Sequence, residues 1–371
     1  MKKILVVGAI LVLSLVFWGL PSKTEAVADN TWIKNSTEVV VNNQAGWPRV
    51  IKDDTTYKMW VEDPADGTIR YMASADGITW GALQATNLDG QAGNLAHEFS
   101  IIKDGATYKM WFNSGPPATV SYRTSADGLT WSAATLVVFN GGGQAWDLDY
   151  IAPWVIKDGS TYKMWYNAAE GNGQYYYAYA TSDDGTTFTE PQNLGKIISA
   201  AGNTNNNLVL KQGDAGTWDG YQAGEALYSN TIFKNSDGIY EMWYAGNKSG
   251  QAGGADGYKI GYATSSDGIS WTKSNGNPVL GGGGTTGGFD DNGVYYPTVI
   301  QDGNTYKMWY WPYANWQGGV GYATANKAVA QAATVVTLPA TGGGDNIVTL
   351  VGLTLLLVSA PVFYLFQRKT I

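Results

Sequence analysis

The feature that most constrains this chain is a repeated strand that reads Tyr-Lys-Met-Trp. Four identical copies begin at Tyr57, Tyr108, Tyr162 and Tyr306, and a variant with Glu at the second position begins at Tyr240. Each copy follows a short run of mostly apolar residues that ends in a turn, and four copies are followed by a Ser-x-Asp-Gly segment that ends on an aromatic residue. Short strands joined by tight turns predict five units, each of four antiparallel strands.

The ends of the repeat indicate how the five units are arranged. Solenoid units rarely exceed about fifty residues, and every spacing between consecutive copies here is longer. The fifth unit stops at residues 321–325 without an Asp-Gly turn or an outer strand, whereas residues 28–32 and 38–41 resemble those missing parts. We therefore predict an all-β, five-bladed β-propeller over residues 29–327, closed by the N-terminal strand.

The composition restricts the class of protein and its partners. The 371 residues include 48 glycines, 13% aromatic residues and no cysteine, so a packed core rather than disulfides must hold the fold. The formal net charge is −8 and the chain has four arginines, whereas binding to nucleic-acid phosphates needs a basic face. We therefore exclude nucleic acid as a partner.

The first 28 residues have the order of an export signal. They combine a basic start, an apolar run over residues 4–20 and small residues at Ala26 and Ala28. This order is typical of a secretory signal peptide. Cleavage after Ala28 would leave a mature chain that begins at Asp29, so we expect the protein to be secreted.

The C-terminal part combines three further segments. Residues 328–337 are an Ala-rich linker, which is followed by Leu-Pro-Ala-Thr-Gly over residues 338–342. Residues 346–366 are predominantly apolar and long enough to cross a bilayer as a transmembrane helix. The short tail over residues 367–371 contains Arg and Lys, which favours a cytoplasmic position for it.

This arrangement resembles the LPxTG sorting signal of Gram-positive-type surface proteins, with Leu338, Pro339, Thr341 and Gly342 as the motif residues. The resemblance implies that a sortase cleaves between Thr341 and Gly342 and joins Thr341 to peptidoglycan or another wall amine. The protein would then be attached covalently to the cell wall at the cell surface. The alternative is a plain anchor helix that leaves the protein in the membrane.

The repeats separate structural residues from candidate functional ones. A residue that recurs at the same place in every unit is predicted to hold the unit together. These recurring residues are Asp76, Asp127, Asp184 and Asp267 in turns, Lys58, Lys109, Lys163 and Lys307 in second strands, and Trp60, Trp111, Trp165, Trp243 and Trp309 between blades. A polar residue that breaks the pattern near the channel needs another explanation.

The departures from the pattern collect just before each innermost strand, where a propeller brings its strand ends together around one mouth. Alignment on Pro48, Phe99, Pro153, Asn230 and Pro297 places at this mouth Trp47, His97, Glu98, Asp149, Tyr150, Tyr228, Tyr295 and Tyr296, with Asp147, Glu225 and Asp291 slightly farther out. Aromatic faces stack on sugar rings, and carboxylates bind hydroxyls or do chemistry, so this mouth is a candidate carbohydrate site. A purely structural role stays open for His97 and Asp147.

The repeat also resembles a known superfamily. Residues 237–244 and 260–271 show best its combination of Asp-Gly-x-Tyr-x-Met-Trp-Tyr with Ile-Gly-Tyr-Ala-Thr-Ser-x-Asp-Gly-x-x-Trp. It looks like the five-bladed glycosidase superfamily of arabinanases, levansucrases and invertases, and the resemblance implies hydrolysis by three channel acids from different blades. One of those acids directly precedes the first-blade proline, where this chain has Trp47. Ala152 stands at the third-blade position, and only Glu98 is an acid in an equivalent place.

For a hydrolase, the best trio of acids is Glu98, Asp149 and Glu225. Small neighbours on either side of Glu225 give it an uncrowded, apolar setting, so we assign it as general acid. Asp149 is assigned as base or nucleophile. The alternative hypothesis is a non-catalytic carbohydrate-binding or adhesin module.

Neither hypothesis requires a cofactor. Clustered carboxylates at Asp147 and Asp149, or at Asp290 and Asp291, would suit calcium. The ligand spacing specifies no metal site.

Overall fold

The computed structural model describes residues 31–327, apart from gaps at 36–39, 43–44, 64–66, 89–97, 115–118, 142–150, 170–174, 193, 195–196, 198–206, 215, 221–226, 248–256, 283–287 and 313–318. The signal peptide, linker, sorting motif, apolar segment and tail predicted from the sequence lie outside these residues. Within the described ranges, no helix has the length and apolarity to span a bilayer.

The described residues form five β-sheets, which confirms the predicted all-β, five-bladed propeller. Blade 1 contains β3 (Gly46–Asp53), β4 (Thr56–Glu62), β5 (Ile69–Ser74) and β6 (Gln84–Ala85). Blade 2 contains β7 (Phe99–Asp104), β8 (Thr107–Asn113), β9 (Val120–Ser125) and β10 (Thr135–Leu136). Blade 4 contains β17 (Leu227–Lys234), β18 (Tyr240–Gly246), β19 (Lys259–Ser265) and β20 (Thr272–Lys273).

Blade 3 is the most elaborate of the five. Its first three strands are β12 (Ile151–Asp158), β13 (Thr161–Ala169) and β14 (Tyr175–Ser182). Its outer side holds β11 (Val138–Asn140), β15 (Thr187–Thr189) and β16 (Leu208–Lys211). β11 pairs in parallel with β15, whereas β16 pairs antiparallel with β14. The repeat pattern does not predict these extra strands, because they come from segments between the repeats.

The N-terminal part of the propeller closes the ring, as the sequence predicts. Blade 5 contains β21 (Val294–Asp302), β22 (Thr305–Pro312) and β23 (Gly319–Asn326). Two short strands, β1 (Ile33–Lys34) and β2 (Val41–Asn42), both pair antiparallel with β23. The last blade therefore takes its outer edge from residues far away in the chain.

Neighbouring blades are joined by the tryptophan of each second strand. Four fully buried indoles donate to a glycine carbonyl in the Asp-Gly turn of the next blade, in the pairs Trp60–Gly128 (2.8 Å), Trp111–Gly185 (2.7 Å), Trp165–Gly268 (2.8 Å) and Trp309–Gly77 (2.8 Å). Gly77 has φ +80°, and a Cβ there would lie 2.7 Å from Trp309. Both observations require glycine at that turn.

The aspartates of these turns are structural, as predicted. Asp76 Oδ1 accepts hydrogen bonds from the backbone N–H groups of Ile78 (2.8 Å) and Thr79 (2.7 Å) and from the Ser74 hydroxyl (2.8 Å). The same three bonds recur around Asp127, Asp184 and Asp267. These carboxylates hold the turn that receives the neighbouring tryptophan.

A polar cluster ties the innermost strand of one blade to the next blade at the strand end opposite the mouth. The aspartate that ends the strand binds two lysines and a tyrosine, in the sets Asp53 with Lys58, Lys103 and Tyr108, Asp104 with Lys109, Lys157 and Tyr162, Asp158 with Lys163, Lys234 and Tyr240, and Asp302 with Lys307, Lys52 and Tyr57. The recurring lysines are therefore structural, as predicted. Between blades 4 and 5, Asn235 replaces the aspartate and Glu241 replaces the lysine, so Tyr306 donates to Glu241 instead (2.8 Å).

The innermost strands are linked to one another around the central axis. In each blade, one residue of the innermost strand pairs with the tryptophan of the second strand. The side chain of this residue donates a hydrogen bond to a backbone carbonyl in the innermost strand of the next blade. The five bonds are Arg49 to the Phe99 carbonyl (2.6 Å), Ser100 to Val155 (3.5 Å), Trp154 to Ile232 (2.6 Å), Thr231 to Pro297 (2.6 Å) and Thr298 to Pro48 (2.6 Å). They form a closed circuit that fixes the floor of the mouth.

Candidate functional site

The predicted mouth takes one position from each innermost strand. Glu98 directly precedes β7, and Trp47, Ala152, Tyr296 and the backbone of Ser229 lie where the pairing of the other four innermost strands shifts register. Trp47, Ala152 and Tyr296 have positive φ angles of 49°, 51° and 52°, and each is followed by proline. The strand register shifts at these places. A left-handed backbone conformation is costly at residues other than glycine, and residues held in it cluster at functional sites.

Glu98 is the carboxylate that the structure places at this level. Its side chain is 6% exposed. Oε2 accepts from the backbone N–H of Ala152 (3.3 Å), and Oε1 accepts from the Tyr296 hydroxyl (3.5 Å). Three different blades therefore meet at one carboxylate.

A buried cation lies beside Glu98. The guanidinium of Arg49 is 5.6–5.7 Å from the ring centroids of Phe99, Trp154 and Tyr296. Burial lowers the pKa of Arg49 to about 10, while the charges of Tyr296 and Glu98 act in the opposite direction. Arg49 thus stays protonated at neutral pH, so a positive charge lies beside Glu98.

An aromatic cluster forms one wall of the mouth. Trp47 stacks on Trp311 with ring centroids 4.3 Å apart, and Tyr295 lies 4.7 Å from both Tyr258 and Tyr296. Each ring is at most 7% exposed. The predicted residues Trp47, Tyr295 and Tyr296 are therefore brought together in one buried aromatic cluster.

Two polar residues join the site that the sequence analysis did not select. Asn230 stands where three other blades have proline, is 1% exposed, and has its amide close to the Tyr177 hydroxyl. Tyr177 neighbours both Asn230 and Arg49, and burial raises its pKa well above its usual range. The break in the proline pattern could have identified Asn230, whereas Tyr177 comes from a third strand and carries no such signal.

The remaining predicted residues cannot be placed in the same way. His97, Asp149, Tyr150 and Glu225 lie outside the described residues. The backbone of Tyr228 lies in β17 opposite Ala245. The described part of the chain therefore brings together four of the eight residues predicted at the mouth, namely Trp47, Glu98, Tyr295 and Tyr296.

The carboxylates considered for calcium are engaged with protein groups where they are described. Asp290 is buried and accepts from Lys34 (2.7 Å) and Tyr310 (3.0 Å), and Asp291 accepts from the backbone N–H of Gly288 (2.8 Å). Among the described residues, no three His, Asp or Glu side chains group as metal ligands. Asp147 and Asp149 lie outside them.

Comparison with known sequences finds partial matches to two proteins. No protein-family model matches the chain. Two uncharacterized Mycobacterium tuberculosis proteins, MT1551 of strain CDC 1551 and Rv1502 of strain H37Rv, are each 33% identical over 97 residues, which cover 23% of this chain and 32% of the relative. The chain thus matches these relatives over about a third of their length.

Comparison with solved structures concerns the fold. A glycosyl hydrolase from Bacteroides ovatus has a TM-score of 0.56 at 16% identity, covering 83% of this chain and 94% of that one. A thermostable family-43 glycoside hydrolase has a TM-score of 0.53 at 19% identity, and the match covers 76% of this chain and 88% of that one. An N-acetylgalactosamine deacetylase from F. plautii in complex with blood group B trisaccharide has a TM-score of 0.55 at 14% identity. The match covers 79% of this chain and 92% of that one. The chain is a five-bladed β-propeller whose fold resembles that of glycoside hydrolase structures.

Proposed function

We propose that this protein acts on carbohydrate at the mouth of the propeller and hydrolyses glycosidic bonds there. The observation that carries the proposal is the buried carboxylate of Glu98, held by Ala152 and Tyr296 beside Arg49. A buried carboxyl group at the axis of a propeller, beside a cation, is a group suited to bind sugar hydroxyls.

Hydrolysis needs two further roles. Glycosidases place two carboxyl groups on opposite sides of the scissile bond, about 5–5.5 Å apart for retention and about 6.5–9.5 Å apart for inversion. We assign Glu225 as general acid and Asp149 as base or nucleophile. Glu98 then supports them by binding the sugar beside the positive charge of Arg49.

The test is sugar release from a panel of plant, microbial and host glycans by the full chain. Glu98→Gln, Asp149→Asn and Glu225→Gln are measured beside Glu241→Gln, a control that alters a buried carboxylate at the blade 4–5 junction. We expect release by the unchanged protein and by the control, and a loss of about 100-fold or more in at least the Glu225 variant. Equal release by all four variants, each shown to be folded, would contradict the assignment.

The second candidate is a non-catalytic carbohydrate-binding or adhesin module. The specific observation in its favour is that Trp47 and Ala152 occupy positions where the superfamily resembled by this sequence carries acids. In the same experiment, retention on one glycan without any release of sugar would support this candidate.

We also propose that the protein works at the cell surface, held by a sortase-made bond from Thr341 to peptidoglycan or another wall amine. The support is the order of the motif, the apolar segment 346–366 and the basic tail in the sequence. Cell fractionation tests it with Leu338→Ala, which should move the protein from the wall fraction to the membrane. Unchanged recovery in the wall fraction would contradict the proposal.

A further inference from the structure

A second cleft lies between the outer parts of blades 3 and 4. One side is formed by β16 and the residues that follow it, and the other by residues 270–273 at the start of β20. Its volume is about 470 Å³, within the range of sites for small molecules. It shares no residue with the mouth described above.

The cleft contains a buried amide that lacks partners. Gln212 is 3% exposed, and neither its amide nitrogen nor its amide oxygen has a hydrogen-bond partner in the described part of the chain. A buried, unsatisfied amide is unfavourable unless something else satisfies it. Since a primary amide both donates and accepts, its natural complement is a pair of adjacent hydroxyl groups.

The opposite side of the cleft offers an aromatic ring. Trp271 is half-buried, and its indole N–H donates to the Gly268 carbonyl (3.0 Å). Its ring meets Trp165 edge-on at 77° with centroids 6.3 Å apart. At the corresponding turn position of the other blades, Trp131 and Phe188 are 4% and 0% exposed, whereas Trp80 is half-buried like Trp271. Trp271 is thus a rigidly held ring with part of its surface left open, which suits stacking on the C–H face of a sugar.

The charges at the cleft are balanced. Lys273 pairs with Asp219 at 2.6 Å. Lys211 and Asp214 then add one charge of each sign to the lining. This balance favours an uncharged ligand over an anionic one.

We infer that this cleft binds one or two neutral sugar units of a polysaccharide chain, as a second site apart from the mouth. On binding, the amide of Gln212, which is covered in the free protein, turns into the cleft and takes adjacent hydroxyls, and Trp271 stacks on the ring. This inference depends only on the chemistry of the cleft, so it stands whether the mouth hydrolyses, binds or does neither.

Calorimetric titration of the full chain tests the inference. The probes are linear hexasaccharides of β-1,4-linked xylose, mannose and glucose and of α-1,5-linked arabinose. The variants are Gln212→Leu, which removes the amide at similar volume, and Trp271→Phe, which keeps an aromatic ring in place. Gln192→Leu is the control, because it makes the same change in a half-buried glutamine that does not line the cleft.

We expect at least one probe to bind, about tenfold more weakly in Gln212→Leu and with unchanged affinity in the control. Binding that is lost in Glu98→Gln but kept in Gln212→Leu would place the sugar at the mouth and overturn the inference. Two other results would also overturn it: no binding by any probe, or a more stable Gln212→Leu protein with unchanged affinity, which means that the cleft holds water only.

Discussion

At the residue scale, the least expected feature is a cation enclosed at the axis. Arg49 belongs to the circuit of bonds between innermost strands and is the charged member of it; the other members are Ser100, Trp154, Thr231 and Thr298. It thus has two roles, since it joins blade 1 to blade 2 and supplies the positive charge beside Glu98.

The first prediction concerns this cation. Arg49→Met should destabilise the fold by about 3–5 kcal/mol, because it leaves a buried carboxylate without its counter-charge and the Phe99 carbonyl without its donor. Arg70→Met, in a third strand, is the control and should cost less than about 1 kcal/mol. Urea denaturation measures both. A similar loss of unfolding free energy in the two variants would mean that Arg49 does not stabilise the centre of the propeller as described.

Individual structural and functional residues could be predicted from the sequence only where equivalent positions of the five repeats could be compared. Asp76 is a turn residue because each complete cassette has an aspartate there, and the structure confirms it. Glu98 stands out because no other blade has an acid at its position. Asn230 breaks the proline pattern and could have been identified in the same way, whereas the hydroxyl of Tyr177 reaches the site through packing between blades, which no linear pattern encodes.

At the scale of elements, the junction between blades 4 and 5 differs from the other four. The described part of blade 5 lacks the Ser-x-Asp-Gly turn that follows the third strand in the other blades, so Trp243 has no such glycine carbonyl to bind. Its indole N–H is without a partner among the described residues, and Trp32 packs edge-on against it at 6.3 Å. The N-terminal segment therefore replaces the aromatic residue of the missing turn.

The second prediction follows from this difference. Trp111→Phe removes the bond to the Gly185 carbonyl (2.7 Å), whereas Trp243→Phe removes no bond to a described residue. Trp111→Phe should therefore cost about 1–2 kcal/mol more. Chemical denaturation compares them directly, and a larger loss for Trp243→Phe would show that its indole has a bonding role.

The third prediction is a contrast in pH dependence. Lys163, Tyr240 and Lys234 hold the pKa of Asp158 well below its usual range, whereas burial raises the pKa of Glu241. A depressed carboxyl pKa stabilises the fold above the unfolded value of 3.8, and this contribution is lost as pH falls. A raised carboxyl pKa acts oppositely, so its contribution is greatest below 4.5 and declines as pH rises.

Thermal unfolding from pH 2 to 7 checks this contrast. Asp158→Asn should be less stable than the unchanged protein at pH 7, and the gap should close as pH falls below 3.8. For Glu241→Gln, the stability relative to the unchanged protein should improve as pH rises above 4.5. Parallel pH profiles for the two variants would refute the assignment of opposite shifts.

At the scale of the whole molecule, the sequence predicted the architecture almost completely. Blade number, strand order and closure follow from the five copies and from the unfinished fifth unit, because repetition averages out the ambiguity of any single strand. The extra strands β11 and β16 were not predicted, since residues 138–140 and 208–211 lie between repeats. The candidate site was predicted in part, because Glu98, Trp47 and Tyr296 share one register position.

The fourth prediction tests closure. Removing residues 29–41 should unfold the whole propeller, because it deletes the pairing of Ile33 with Thr324 and of Val41 with Val320 and exposes the edge of β23. Ile33→Ser is the control, since that side chain is 63% exposed and its backbone pairing remains. Near-UV circular dichroism reports the packed aromatics. A native spectrum after the deletion would show that the N-terminal strands are dispensable.

The most direct test of the central claim is the structure of the Glu98→Gln protein with an oligosaccharide from a glycan that the protein binds or degrades. We expect a sugar at the mouth, within hydrogen-bonding distance of residue 98 and beside Tyr296. An empty mouth, with the sugar bound elsewhere at saturating concentration, would contradict the claim that this propeller handles carbohydrate at its axis.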